Sequence, residues 1–369
     1  MRLLSTHLTL LALVAALALI LAGCGGSFAP TLPSPNGGGG TPPGAHTSAI
    51  GGGASLPPTL TAENFKVTID GTPAAVTKAV HGGSATKVAI SFIFDTTGSM
   101  SGEIDGVKAS IQAFADAFAG KEVTWQGSEY GDSDFANPVV EQNEDTDSTS
   151  GAGSTRTKFD PSTDLAGFKA WIGTLTARGG GDTPENPLKT IMDTRKLFPA
   201  GTLVNYIVIT DTGAHERTDG VKFSDGVIKC AFTGEEVLSA LRGSATVYAI
   251  SPDFTSAWAS AGEAGLKSMP SNSKVSPQLY VSGDGFDVRE LADGGPPAFR
   301  TNSGTGGKWI ELPSGGDVDL TTLGIAAAIT NSYTITYVVP AGKVSGAVVI
   351  TASPPGKPPV VFDLGTVTF

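Results

Sequence analysis

The chain has 369 residues, 49 of them glycine, and a formal net charge of −11. That length holds one large domain or two ordinary ones with a sizeable core, and a glycine share about twice the usual one points to linkers and tight loops. The negative charge repels a phosphate backbone and argues against a nucleic-acid partner.

Residues 1–23 read as a targeting segment. Met1 and Arg2 make a basic start, and the apolar run 8–21 is too short for a comfortable membrane span. The run ends in Leu21-Ala22-Gly23-Cys24, which resembles the lipobox of bacterial lipoprotein signals. The resemblance implies cleavage before Cys24, acylation of that cysteine, and a protein lipid-anchored in the bacterial cell envelope, facing the periplasm or the medium. Gly25 favours the outer membrane where the source is Gram-negative. Several acyl chains anchor firmly where one does not. With Cys24 acylated, only Cys230 remains, so no intrachain disulfide can form. Cys230, in VIKCAF, reads as a small buried hydrophobe.

Residues 24–60 have linker composition, rich in Gly, Pro and Ser. As a flexible coil they would span roughly 30–35 Å, enough to hold a domain clear of a lipid surface. His46 lies in this stretch with no partner in view. Residues 61–86 alternate and carry Asp70-Gly71, a hairpin turn signal. Residues 332–369 read as three or four short strands with Pro/Gly turns. The two ends are expected to pair into a small β unit flanking the middle.

Residues 87–331 alternate strand and helix. Strands are expected at 88–94, 122–130, 203–211, 245–251 and 308–312. Helices are expected at 101–119, 162–175, 184–198, 234–243 and 320–330. The acidic stretch 129–160, poor in hydrophobes, reads as a solvated loop that would emerge beside the first strand's end; 268–307 is similarly loop-rich. Continuous apolar strands between amphipathic helices indicate an α/β fold, a doubly wound and mostly parallel sheet covered on both faces. Ligands of such sheets bind outside the carboxyl ends of the strands.

Two aspartates stand at those ends. Asp95 closes the apolar run 88–94, and Asp211 closes YIVIT. Thr97 and Ser99 follow Asp95 at alternate positions in a tight loop that becomes a helix N-terminus. Such a loop can aim small oxygen donors at one point, and hard divalent cations take oxygen ligands. Each aspartate alone also suits a helix cap or a turn.

DTTGSMS at 95–101, GGGDTPEN at 179–186 and VITD at 208–211 resemble the three loops of the von Willebrand factor type A domain, in the subgroup with DTTGSM and GGGD-x-PE loops. The resemblance covers roughly residues 87–331. It implies a Rossmann-like fold and a metal-ion-dependent adhesion site, with Asp95, Thr97 and Ser99 from the first loop and Asp211 from the third. The second loop offers both Asp182 and Thr183. Asp182 falls where the family has a threonine, and either residue can be the ligand. The implied cofactor is a divalent cation, magnesium first, with calcium or manganese as alternatives. The implied partner is a protein that completes the cation's shell with a carboxylate. With Asp95, Asp182 and Asp211 all ionised, three negative charges would face two positive ones, and the site would need a partner carboxylate less.

Enzymatic readings fit less well. Phosphoaspartate phosphatases need a second aspartate where Thr97 stands, and GSMSG at 98–102 places Met100 where a serine nucleophile would be. His215, four residues past Asp211, reads as a solvated loop residue. The expectation is a lipid-anchored binding protein without catalytic residues. The alternatives are an envelope assembly or regulatory module with a structural or degenerate metal site, and, less well supported, a metal-dependent phosphohydrolase.

Overall fold

The computed structural model describes residues 44–51, 56–131, 156–178, 184–217, 230–255, 286–298, 303–313 and 316–369. Cys24, Asp182 and Thr183 therefore lie outside the described residues, as do the signal segment and most of the linker.

Strands β1 (Ala45–Ile50), β2 (Phe65–Ile69), β3 (Thr72–Ala74) and β4 (Val76–His81) precede the central sheet in the chain. The central sheet contains β5 (Lys87–Asp95), β6 (Glu122–Tyr130), β7 (Lys158–Ser162), β8 (Val204–Ile209), β9 (Ala245–Ser251) and β10 (Lys308–Glu311). Its order is β10-β9-β8-β5-β6-β7, with β7 the single antiparallel member. Chain order thus reverses between β5 and β8, the position outside whose carboxyl ends ligands of such sheets bind.

Both faces of β5 are covered, which is why it reads as one continuous apolar run. On one face Ile90, Phe92 and Phe94 pack against helix α1 (Ser101–Asp116), helix α2 (Leu165–Thr174) and the short helix α6 (Ile325–Thr330). Ile104, Val107, Ile111 and Phe114 give α1 its buried stripe at helical spacing. Phe114 meets Phe92 edge-on, with ring centroids 5.8 Å apart. On the other face Ala89 and Ile93 meet α3 (Pro187–Arg195), α4 (Gly234–Leu241) and α5 (Arg289–Asp293). No described helix is long and apolar enough to cross a membrane.

Two antiparallel sheets flank this body. One has the order β1-β11-β4, the other β13-β12-β2-β3, with β11 (Tyr333–Val338), β12 (Ser345–Ala352) and β13 (Val360–Thr368) from the end of the chain. N-terminal strands therefore pair with C-terminal ones: β2 with β12, and β1 and β4 with β11. Their shared core includes Ile50, Phe65, Val67, Tyr333, Ile335, Ile350 and Leu364. Asp70 and Gly71 take φ of 49° and 75°, the left-handed pair that a two-residue hairpin requires.

Several elements differ from expectation. The linker reading 24–60 fails from Ala45 onward among the described residues. Ala45–Ile50 is a strand on β11, and Leu56 and Leu60 are buried. The Tyr333 hydroxyl donates to the Pro57 carbonyl at 2.6 Å and accepts from the Leu60 amide at 3.0 Å, tying this segment down. The last helix spans only Ile325–Thr330, because Gly324 caps it at φ 71° and breaks the helical run. The stretch 129–160 is not all loop. Residues from Lys158 form β7, an edge strand that tolerates Pro161. The short helix α5 lies in a stretch read as loop.

His46 gains partners with β1. Its ring lies 5.5 Å from Tyr337 and 5.2 Å from Phe369. Burial pushes its imidazole from 6.5 down to about 4. An unfolded chain takes up this proton near pH 6.5, whereas the folded one resists until about 4. Stability is therefore complete above pH 6.5 and falls as the pH drops from there to about 4, by up to about 3 kcal/mol. Urea denaturation at pH 7.5 and pH 4.5 should show this loss, and His46→Phe should diminish it. An equal loss in the variant would assign the acid sensitivity to other groups.

Candidate metal centre

The parallel register pairs Asp95 with Tyr130, and Phe94 with Ile209, so Asp95, Tyr130 and Thr210 end three neighbouring strands at one level. Asp95 is fully buried. Its Oδ1 accepts from the Thr97 amide at 2.9 Å and the Thr97 hydroxyl at 2.8 Å. Its Oδ2 accepts from the Thr210 hydroxyl at 2.8 Å. The carboxylate is thus locked in one orientation. Asp211 follows Thr210, and the nearby Ser99 side chain pulls its carboxyl down against the upward push of burial.

The two carboxylates disturb each other. Burial first, and the charge of Asp211 second, push Asp95 up to about 7, against the opposing pull of Thr97 and Thr210. Burial also raises Asp211. Glu103, in the first turn of α1, is raised by burial and then by Asp211, so it belongs to the same acidic neighbourhood. Without a compensating charge, the ionised pair is disfavoured.

A second layer fixes the turn from behind. The Thr96 amide donates to the Tyr130 carbonyl at 2.9 Å, and the Thr96 carbonyl accepts from the Arg178 amide at 2.9 Å. Arg156 Nη1 donates to the Thr96 hydroxyl at 2.9 Å. Arg178 Nη2 pairs with Glu129 Oε2 at 2.6 Å, and Glu129 Oε1 accepts from the Thr157 amide at 2.8 Å. The Arg156 guanidinium runs so close under Gly131 that a Cβ there would sit 2.4 Å from Nη2. A side chain there would require the Arg156 guanidinium to shift.

Four of the six site residues suggested by the family resemblance are thereby brought together: Asp95, Thr97, Ser99 and Asp211. Among the described residues no group of three His, Cys, Asp or Glu stands at metal-binding spacing. The cluster instead combines two carboxylates with hydroxyls, hard oxygen donors that suit magnesium, calcium or manganese rather than zinc. The buried, mutually repelling carboxylates fit a divalent cation, whose charge would relieve both burial and repulsion. His215 is buried rather than solvated, and its amide donates to the Glu185 carbonyl at 2.6 Å. Cys230 is buried, with Sγ 3.4 Å from the Phe232 carbonyl.

Sequence reasoning passed over Thr210 and Tyr130. Counting register along three parallel strands would have placed both beside Asp95. Arg156 and Arg178 carry no comparable signal, because their contacts with the turn depend on how distant segments return to the sheet.

Fold and site together define a mixed α/β protein whose parallel sheet opens onto a carboxylate–hydroxyl cluster where strand order reverses. Compared with known proteins, the chain matches no family model and no curated protein sequence.

Proposed function

We propose that this chain is a von Willebrand factor type A protein that binds a partner through a divalent cation. Asp95, Thr97, Ser99 and Asp211 would hold the cation, together with Asp182 or Thr183 from the second loop. When bound, the cation supplies an open coordination position for a carboxylate of a protein partner. In this reading the chain is a binding protein rather than an enzyme. Cys24 carries the lipid anchor, and the Gly/Pro-rich segment after it sets the domain off from the envelope membrane.

One observation carries the reading. Two carboxylates, one of them fully buried, end neighbouring parallel strands at the order reversal, with Thr97 donating to Asp95 and Ser99 lying close to Asp211. Caps and turns do not require two aspartates to stand side by side at the ends of neighbouring strands.

A cation bound only by the folded state stabilises it by about 2.7 kcal/mol at a hundredfold excess over Kd. In a domain of this size that raises Tm by roughly 5–10 °C. Magnesium, calcium or manganese should produce this shift on metal-free protein, and EDTA should reverse it. Asp211→Ala should abolish the response and still fold, since β8 is held by its apolar residues Tyr206–Ile209. No shift with any of the three ions would leave the structural or degenerate site as the better reading.

A further inference from the structure

Behind Asp95 lies a hydroxyl that the site as described does not use. Tyr130 is fully buried, and its hydroxyl has no hydrogen-bond partner among the described residues. It stands beside Thr210 and within the field of Asp95, Glu185 and Asp211. Strand pairing with Asp95 holds the residue there, and the Tyr130 carbonyl accepts from the Thr96 amide at 2.9 Å. A buried, unpaired hydroxyl costs about 1–3 kcal/mol, so its place needs a reason.

Thr210 supplies one. Its single hydroxyl proton has two acceptors within reach: Asp95 Oδ2 at 2.8 Å and the Thr212 carbonyl at 3.2 Å. Its oxygen accepts from the Thr212 amide at 3.2 Å, which leaves one lone pair. A carboxylate that binds a cation is acceptor-only, so the Thr210 proton belongs to Asp95 Oδ2, the shorter and charge-assisted bond. That leaves one lone pair free to accept, and the Tyr130 phenol stands near Thr210. Burial and the neighbouring carboxylates hold the phenol well above its usual value of 10, so it stays a neutral donor.

We infer that Tyr130 and Thr210 form a relay of positioning residues behind the cation site. Tyr130 donates to Thr210 Oγ1, and Thr210 donates to Asp95 Oδ2, which fixes the carboxylate for its ligand role. The inference rests on the cation-binding reading above and adds two residues to it. Partners behind a metal ligand commonly change affinity about 10–100-fold when removed.

The test is manganese binding to the full-length protein, followed by calorimetry and by the EPR spectrum of the bound ion. Tyr130→Phe and Thr210→Val should each weaken binding about tenfold or more and alter the spectrum, whereas Thr210→Ser, which keeps the hydroxyl, should stay near wild type. The double variant should bind no more than about twofold weaker than Thr210→Val alone, because members of one chain are not additive.

Wild type that binds while Tyr130→Phe binds equally well would overturn the relay and leave the site standing. Additive losses in the double variant would overturn it too, by showing that Tyr130 acts apart from Thr210. Wild type that binds no manganese would remove the cation reading and the relay with it.

Discussion

Asp95→Asn is expected to make the cation-free protein more stable at pH 8 while eliminating its response to divalent ions. The sign follows from burial. In the unfolded chain the Asp95 carboxyl ionises near 3.8, whereas in the folded protein burial and Asp211 hold it up to about 7. Folding therefore favours the protonated form. The resulting stability is present at low pH and is lost as the pH rises through about 7. At pH 8 the wild type carries the full penalty, about 4 kcal/mol. Asparagine removes the charge and keeps the geometry. Its Oδ1 can still accept from the Thr97 amide and hydroxyl, and its Nδ2 can donate to Thr210 Oγ1, whose own proton turns to the Thr212 carbonyl. Urea denaturation in EDTA at pH 8 should show the gain, and the difference from wild type should shrink toward pH 5. A variant less stable than wild type at pH 8 would mean that Asp95 is held by its hydrogen bonds more strongly than it is opposed by burial.

Glu129→Ala is expected to cost about 3–5 kcal/mol, because it strands buried positive charge. The Glu129 and Arg178 side chains are 3% and 12% exposed, and Arg156 lies against the same turn. Alanine would leave Arg178 without its carboxylate and the Thr157 amide without its acceptor at 2.8 Å. Lys87–Glu122 provides the contrast. It is also an ion pair, at 3.1 Å, but its side chains are 75% and 54% exposed. Glu122→Ala should therefore change stability by less than about 1 kcal/mol. Denaturation midpoints of the two variants, measured side by side, check the ranking. Equal effects would show that burial does not set the value of the Glu129 pair.

The parallel strands were legible in the sequence because burial on both faces demands continuous apolar runs, such as AISFIF at 89–94 and YIVI at 206–209. Helix α1 was legible for the complementary reason: its apolar residues recur at helical spacing. The acidic ends of two strands and the hydroxyls after the first could be read as chemistry, since a carboxylate following a buried run rarely serves packing. These are local patterns, each written within a dozen residues.

What local pattern could not supply was return from a distance. Ala45–Ile50 lies inside a Gly/Pro-rich stretch and pairs with β11, almost three hundred residues later. Gly324 shortens a helix whose apolar residues run longer than its backbone can follow. Arg156 and Arg178 reach the turn at Thr96 from segments that no spacing rule connects to it. Tyr130 faces Asp95 only through the register of two parallel strands. The sequence by itself determined which residues could bear charge at the sheet's end. The tertiary structure decided which of them are buried together, and so which repel one another, because electrostatic cost depends on depth and distance, which composition does not contain.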